Sequence, residues 1–104
     1  MANMNQLMKQ VQKMQAEMEK VQAELENETV EGSAGGGMVR AIVNGRRDLL
    51  EIKIDPEVVN AEETEMLEEL VVSAVNQAVE KATELQTESL SKITGGMPLP
   101  GMGL

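Results

Sequence analysis

The sequence predicts an α+β protein built as a helix, a three-stranded antiparallel meander and a long helix (α-β-β-β-α), dimeric with projecting helices. Three observations carry this. Apolar residues from Met4 to Leu25 recur in alternating steps of three and four; from Thr29 to Ile54 the pattern turns to short β-rich runs broken by Gly35-Gly36-Gly37 and Asn44-Gly45; from Asn60 a helical period returns. A meander of this size flanked by two helices can be covered on one face only, and an isologous dimer is the economical way to cover the rest.

The first helix rests on Met4, Leu7, Val11, Met14, Met18, Val21 and Leu25. Such spacing is a coiled-coil seam, closing on a partner within the subunit or across a dimer. At about 100° per residue the seven share one stripe, Met8 sits on its shoulder, and Lys9, Lys13 and Lys20 gather on the opposite side. Asn3 is the expected N-cap, and Asn27 with the β-branched Thr29 and Val30 marks the exit.

Thr29 to Ala34 reads as a strand, and three successive glycines then turn the chain at φ values other residues avoid. Met38 to Val43 leads into Asn44-Gly45, a strong short hairpin signal, and Asp48 to Ile54 alternates with period two. Val39, Ala41 and Val43 share one strand face and Leu50, Ile52 and Ile54 another, so each set is expected to face the core. The hairpin tip is basic, with Arg46 and Arg47. Asp55-Pro56 ends the ladder because proline has no N–H to give it.

The second helix is expected to open at Asn60, with Glu63 completing a capping box, and to run to about Ser91. Leu67, Leu70, Val71, Ala74, Val75, Ala78, Ala82 and Leu85 form its apolar face, with Glu62, Glu65, Glu69, Asn76 and Glu80 on the other. Its length exceeds the width of a compact domain of this size, so its end must project or meet another subunit. Residues 1–93 thus form one domain, and 94–104 a flexible Gly/Pro/Met tail.

Composition narrows the function. The 104 residues hold 9 Lys+Arg against 18 Asp+Glu, a formal charge of −9, with no His, Cys, Phe, Tyr or Trp and 9 Met. The absence of His and Cys removes the usual bases, thiol nucleophiles and transition-metal ligands, and no serine sits in a nucleophile motif, so the chain is expected to be non-enzymatic, without metal or cofactor. The triple glycine is followed by a strand where a phosphate loop needs a helix, and Glu62, Glu63, Glu65, Glu68 and Glu69 spread around a helix rather than converge on a cation. No apolar run suggests a signal peptide or membrane span, which points to the cytoplasm.

Nucleic acid is the informative case. A charge of −9 opposes phosphate, and without aromatics single-strand stacking is excluded. The charge is unevenly placed, however. Residues 1–16 hold Lys9 and Lys13 and no acid, whereas six acids lie between Glu17 and Glu31. The lysines are either duplex contacts or the solvated back of a coiled coil.

Taken together, Gly35-Gly36-Gly37-Met38-Val39-Arg40-Ala41, Asn44-Gly45, Ile52-Lys53-Ile54-Asp55-Pro56-Glu57, Glu65-Met66-Leu67-Glu68-Glu69-Leu70, Ala74-Val75-Asn76-Gln77-Ala78 and the Gly/Met/Pro tail resemble the YbaB/EbfC family of nucleoid-associated proteins. The resemblance implies a small bacterial homodimer whose paired helices act like tweezers on double-stranded DNA. It assigns the DNA contacts to the helices, hence to Lys9, Lys13 and Lys20, while Arg46 and Arg47 are added from the charge of the hairpin. The alternative is a protein-interaction adaptor for a DNA repair or recombination protein, motivated by the acidic balance, the apolar tail and the spare seam.

Overall fold

The computed structural model describes residues 3–94; the expectation for the tail falls on 95–104 and lies outside the described residues. Helix α1 spans Met4–Asn27, and the Asn3 side chain accepts from the Asn5 amide at 3.0 Å. The helix stops where Glu28 turns extended while its N–H still reaches the Glu24 and Leu25 carbonyls. Strands β1 (Thr29–Ala34), β2 (Val39–Asn44) and β3 (Leu49–Ile54) then form one antiparallel sheet in the order β1-β2-β3. Gly35, Gly36 and Gly37 all have positive φ, which is why three glycines make the first turn.

After β3, Asp55 accepts from the Glu57 amide at 2.9 Å and caps a 3₁₀ turn over Pro56–Val58. Asn60 is a cap as expected, but of a second 3₁₀ turn, Ala61–Glu63, through the Glu62 amide. Helix α2 proper runs Thr64–Thr94. Its fully buried Ala74, Ala78 and Ala82 meet Val39, Ala41 and Val43 of β2, with Val30, Ile52, Leu70, Val71, Val75 and Val79 packed around them.

Alanine on α2 and Gly32 on β1 let helix and strand touch. A Cβ at Gly32 would stand closer than 3.0 Å to the Ala74 carbonyl oxygen and Ala78 amide nitrogen, and 2.9 Å from Ala78 Cα. At this range α2 also seals the outer edge of β1. The Ser33 amide donates to Gln77 Oε1 at 2.7 Å, and Lys81 Nζ donates to the Glu31 carbonyl at 2.9 Å. Those are the backbone groups an edge strand otherwise offers to another chain.

One expectation needs correcting. Leu50, Ile52 and Ile54 do not all face the core: only Ile52 packs there, while Leu50 is 54% and Ile54 38% exposed. A bulge is the first reason, since Ile42 pairs with Glu51 but Val43 pairs with Leu49, leaving Leu50 out of register. The second is that α2 lies over β1 and β2 and leaves β3 uncovered. Asn44-Gly45 opens a hairpin between β2 and β3, as expected. The positive φ falls at Arg47, and the Asn44 carbonyl accepts from the Arg47 amide, giving a three-residue loop. Buried Asn44 holds it by accepting from the Arg46 amide at 2.9 Å and the Asp48 amide at 3.0 Å. Gly45 is required for contact, because a Cβ there would lie 2.8 Å from the Leu25 carbonyl oxygen.

Candidate nucleic-acid interface

The molecule is drawn out to 71 × 24 × 16 Å because α1 stands away from the sheet. Its 24 residues make a rod of about 36 Å. Among the described residues, cover is found only at its last turns. Leu25 is 1% exposed, Val21 and Met18 are half-buried, and residues 17–28 face Ser89, Lys92 and Ile93 at the end of α2. Toward the N-terminus the same seam opens, from Met14 at 45% to Met4 at 75% exposed, with Leu7 and Val11 between. Among the described residues, therefore, the heptad stripe closes at its base and has no partner along the arm.

Lys9 and Lys13 are exposed and one helical turn apart, about 6 Å along the axis. Among the described residues neither has a carboxylate within ion-pairing distance. Lys20 continues the line about 10 Å farther on, but it lies with Glu17, Glu24 and Glu28 in the groove against α2. Its charge is locally offset. Arg46 Nη1 is 3.8 Å from Glu26 Oε2, which ties the hairpin loop to the base of α1. Arg47 is exposed at φ 71°. The predicted cations thus form two groups, the lysine line on the arm and the arginine pair at the hairpin, separated by about 25 Å between Lys9 and Glu26.

Sequence reasoning missed Lys92, which lines the same groove as Lys20 and is the basic residue of the last turn of α2. The signal was available, since a cation there complements the helix dipole. It also missed Arg40 and Lys53, directly opposed on β2 and β3. Only the strand register brings those two together, and Arg40 is engaged with Glu31 at 3.6 Å.

The arm is a bare helix of about 10–12 Å diameter with side chains, a width the major groove of a duplex admits. Lysines on one line of such a rod are point charges, able to pair with phosphates and to position a helix without reading sequence. Among the described residues no group of carboxylates converges as a metal site. A model of the YbaB/EbfC DNA-binding family matches residues 1–97. The chain belongs to that family.

Relatives agree across nearly the whole length. A nucleoid-associated protein of Clostridium perfringens (strain SM101) is 57% identical over 102 residues, covering 98% of this chain and 91% of the relative. Another, of Caldanaerobacter subterraneus subsp. tengcongensis, is 51% identical over 100 residues, covering 96% and 90%. The crystal structure of an uncharacterized protein of Helicobacter pylori superposes with a TM-score of 0.82 at 22% identity, over 91% of this chain and 100% of that one, a likeness of fold. The YbaB/EbfC fold here is thus an α-β-β-β-α chain with one free helical arm.

Proposed function

We propose that this YbaB/EbfC chain is a non-enzymatic double-stranded-DNA-binding protein of the bacterial nucleoid, acting as a homodimer on nucleoid organisation or gene regulation. The observation that carries the reading is the free arm of α1, whose outer half presents Lys9 and Lys13 with no acid before Glu17. The acids concentrate at its base and on α2, so the overall charge of −9 leaves the arm cationic while the rest of the surface is held off the backbone. Lys20, Arg46 and Arg47 are secondary contacts. The relatives described as nucleoid-associated support the cellular setting, and among the described residues no helix is long and apolar enough to cross a membrane.

Dimerisation is supported by the asymmetry of the sheet. The β1 edge is sealed by Gln77 and Lys81, whereas the β3 side carries exposed Leu49, Leu50 and Ile54, with Val59 just beyond. A second copy seated there covers these side chains and sets two arms in one particle, doubling every phosphate contact at fixed spacing. The test is titration of the protein into labelled duplex at several salt concentrations, beside a single-stranded oligonucleotide of the same length. Duplex binding that weakens linearly in log[salt] supports the reading. A folded protein that fails to bind duplex at low salt, or prefers the single strand, overturns it.

A further inference from the structure

Helix α1 begins at Met4, and its apolar stripe is exposed from there to Met14. Farther along, the end of α2 lies over residues 17–28. The flanks of the stripe change at the same place. Glu17 and Glu24 border it at the base, whereas the open half is bordered by Met8, Gln10 and Gln15, none of them charged. Lys9 and Lys13 stand on the opposite side of the rod. Alternating steps of three and four are the spacing by which one helix interlocks with another of the same spacing. Among the described residues α2 is the other long helix, and it commits its apolar face to the sheet. A helix that matches the open stripe in spacing and in its uncharged flanks is the same stripe on a second copy.

We infer that the arms of two copies pair antiparallel over Met4 to Met14, about a twofold axis level with Lys9. Met4 of each copy meets Met14 of the other, and Leu7 meets Val11. The direction follows from the cover at the base. A parallel pair would bring the two stripes together where α2 already lies. In the antiparallel pair each helix begins level with Met14 of the other and stays clear of that cover. The overlap is about 15 Å, or three turns. Beside the axis Met8 faces Met8 and Gln10 faces Gln10, so no like charges meet across the flanks. Exposures of 45% to 75% on Met4, Leu7, Met8, Val11 and Met14 amount to roughly 500 Å² on each arm and about 1,000 Å² for the pair, the lower edge of specific contacts. The helix is already formed in the single chain, so pairing does not carry the cost of ordering it.

Arm pairing goes beyond the DNA reading and does not depend on it. It uses the apolar stripe, leaves Lys9 and Lys13 of both copies on the outer sides of the pair, and is separate from the β3 surface. The chain has no cysteine, so Leu7→Cys and Val11→Cys each place a single thiol on the full-length protein, at sites that are exposed. The two variants are mixed in equal amounts and oxidised, and the disulfide-linked products are separated by mass. Antiparallel arms predict the mixed Leu7→Cys with Val11→Cys product in several-fold excess over the proportion that random collision gives. An excess of either variant linked to itself, or a random mixture, would overturn the proposal. A second measurement needs no thiol. At up to about 1 mM, which populates even weak contacts, the unaltered protein should sediment at no less than about twice the mass of a Leu7→Gln, Val11→Gln chain whose helix content by circular dichroism is unchanged. Equal masses would overturn the pairing and leave the stripe to another segment of the same chain or to a different protein.

Discussion

Replacing Gly32 with alanine tests the close seating of α2 on the sheet. The added methyl would meet helix backbone at Ala74 and Ala78 closer than real Cβ atoms come, so strand and helix must separate. Overpacking of this kind costs about 1–3 kcal/mol. Separation also loosens the bonds from Ser33 to Gln77 and from Lys81 to Glu31, each worth about 1 kcal/mol net. The φ of Gly32 is not positive, so alanine recovers about 0.5 kcal/mol from the stiffer unfolded chain. The net expectation is a loss of about 2–4 kcal/mol, a large part of the stability of a domain of this size. Because the chain has no aromatic chromophore, urea unfolding would be followed by far-UV circular dichroism, at one protein concentration so that association does not shift the midpoint. The control is Gly36→Ala, which has open space but a φ of +67° and should cost about 1–2 kcal/mol from backbone strain alone. A Gly32→Ala protein within about 0.5 kcal/mol of the parent, inside the scatter of ordinary surface changes, would refute the packing argument.

Three further outcomes follow from particular contacts. Leu25→Ala empties the one fully buried position of α1 and should cost about 2–5 kcal/mol in the same unfolding assay. Asn44→Ala leaves the Arg46 and Asp48 amides without their shared acceptor; a loss of about 1–3 kcal/mol is expected, with hydrogen exchange accelerated at those two amides. Leu50→Lys places a charge on the open β3 side and should convert a dimer to monomers in sedimentation equilibrium without unfolding the chain; an unchanged mass would remove that surface from the interface.

The elements were legible where local pattern and tertiary need coincide. The seam, the three glycines, the alternation of β2 and the apolar face of α2 each carry their period in consecutive residues, and their boundaries match within a few residues. What the sequence concealed depends on neighbours. The exposure of Leu50 follows from the bulge in the β2–β3 pairing and that of Ile54 from α2 covering only two strands, and the role of Gly45 follows from the approach of Leu25. At the candidate interface, the lysine line on α1 was readable because helical spacing alone creates it. The division between that line and the hairpin arginines, and the pairing of Arg46 with Glu26, required the fold.

The central claim is that the lysine face of the α1 arm meets duplex phosphate, and charge reversal at Lys9 and Lys13 together tests it most directly. Both side chains are exposed, so Lys9→Glu with Lys13→Glu should fold as the parent does. If both arms of a dimer use both lysines, four phosphate contacts disappear, and the log-log salt slope of duplex binding becomes shallower by about 3 to 4 as affinity falls. Parental affinity and slope in the folded double variant would contradict the account.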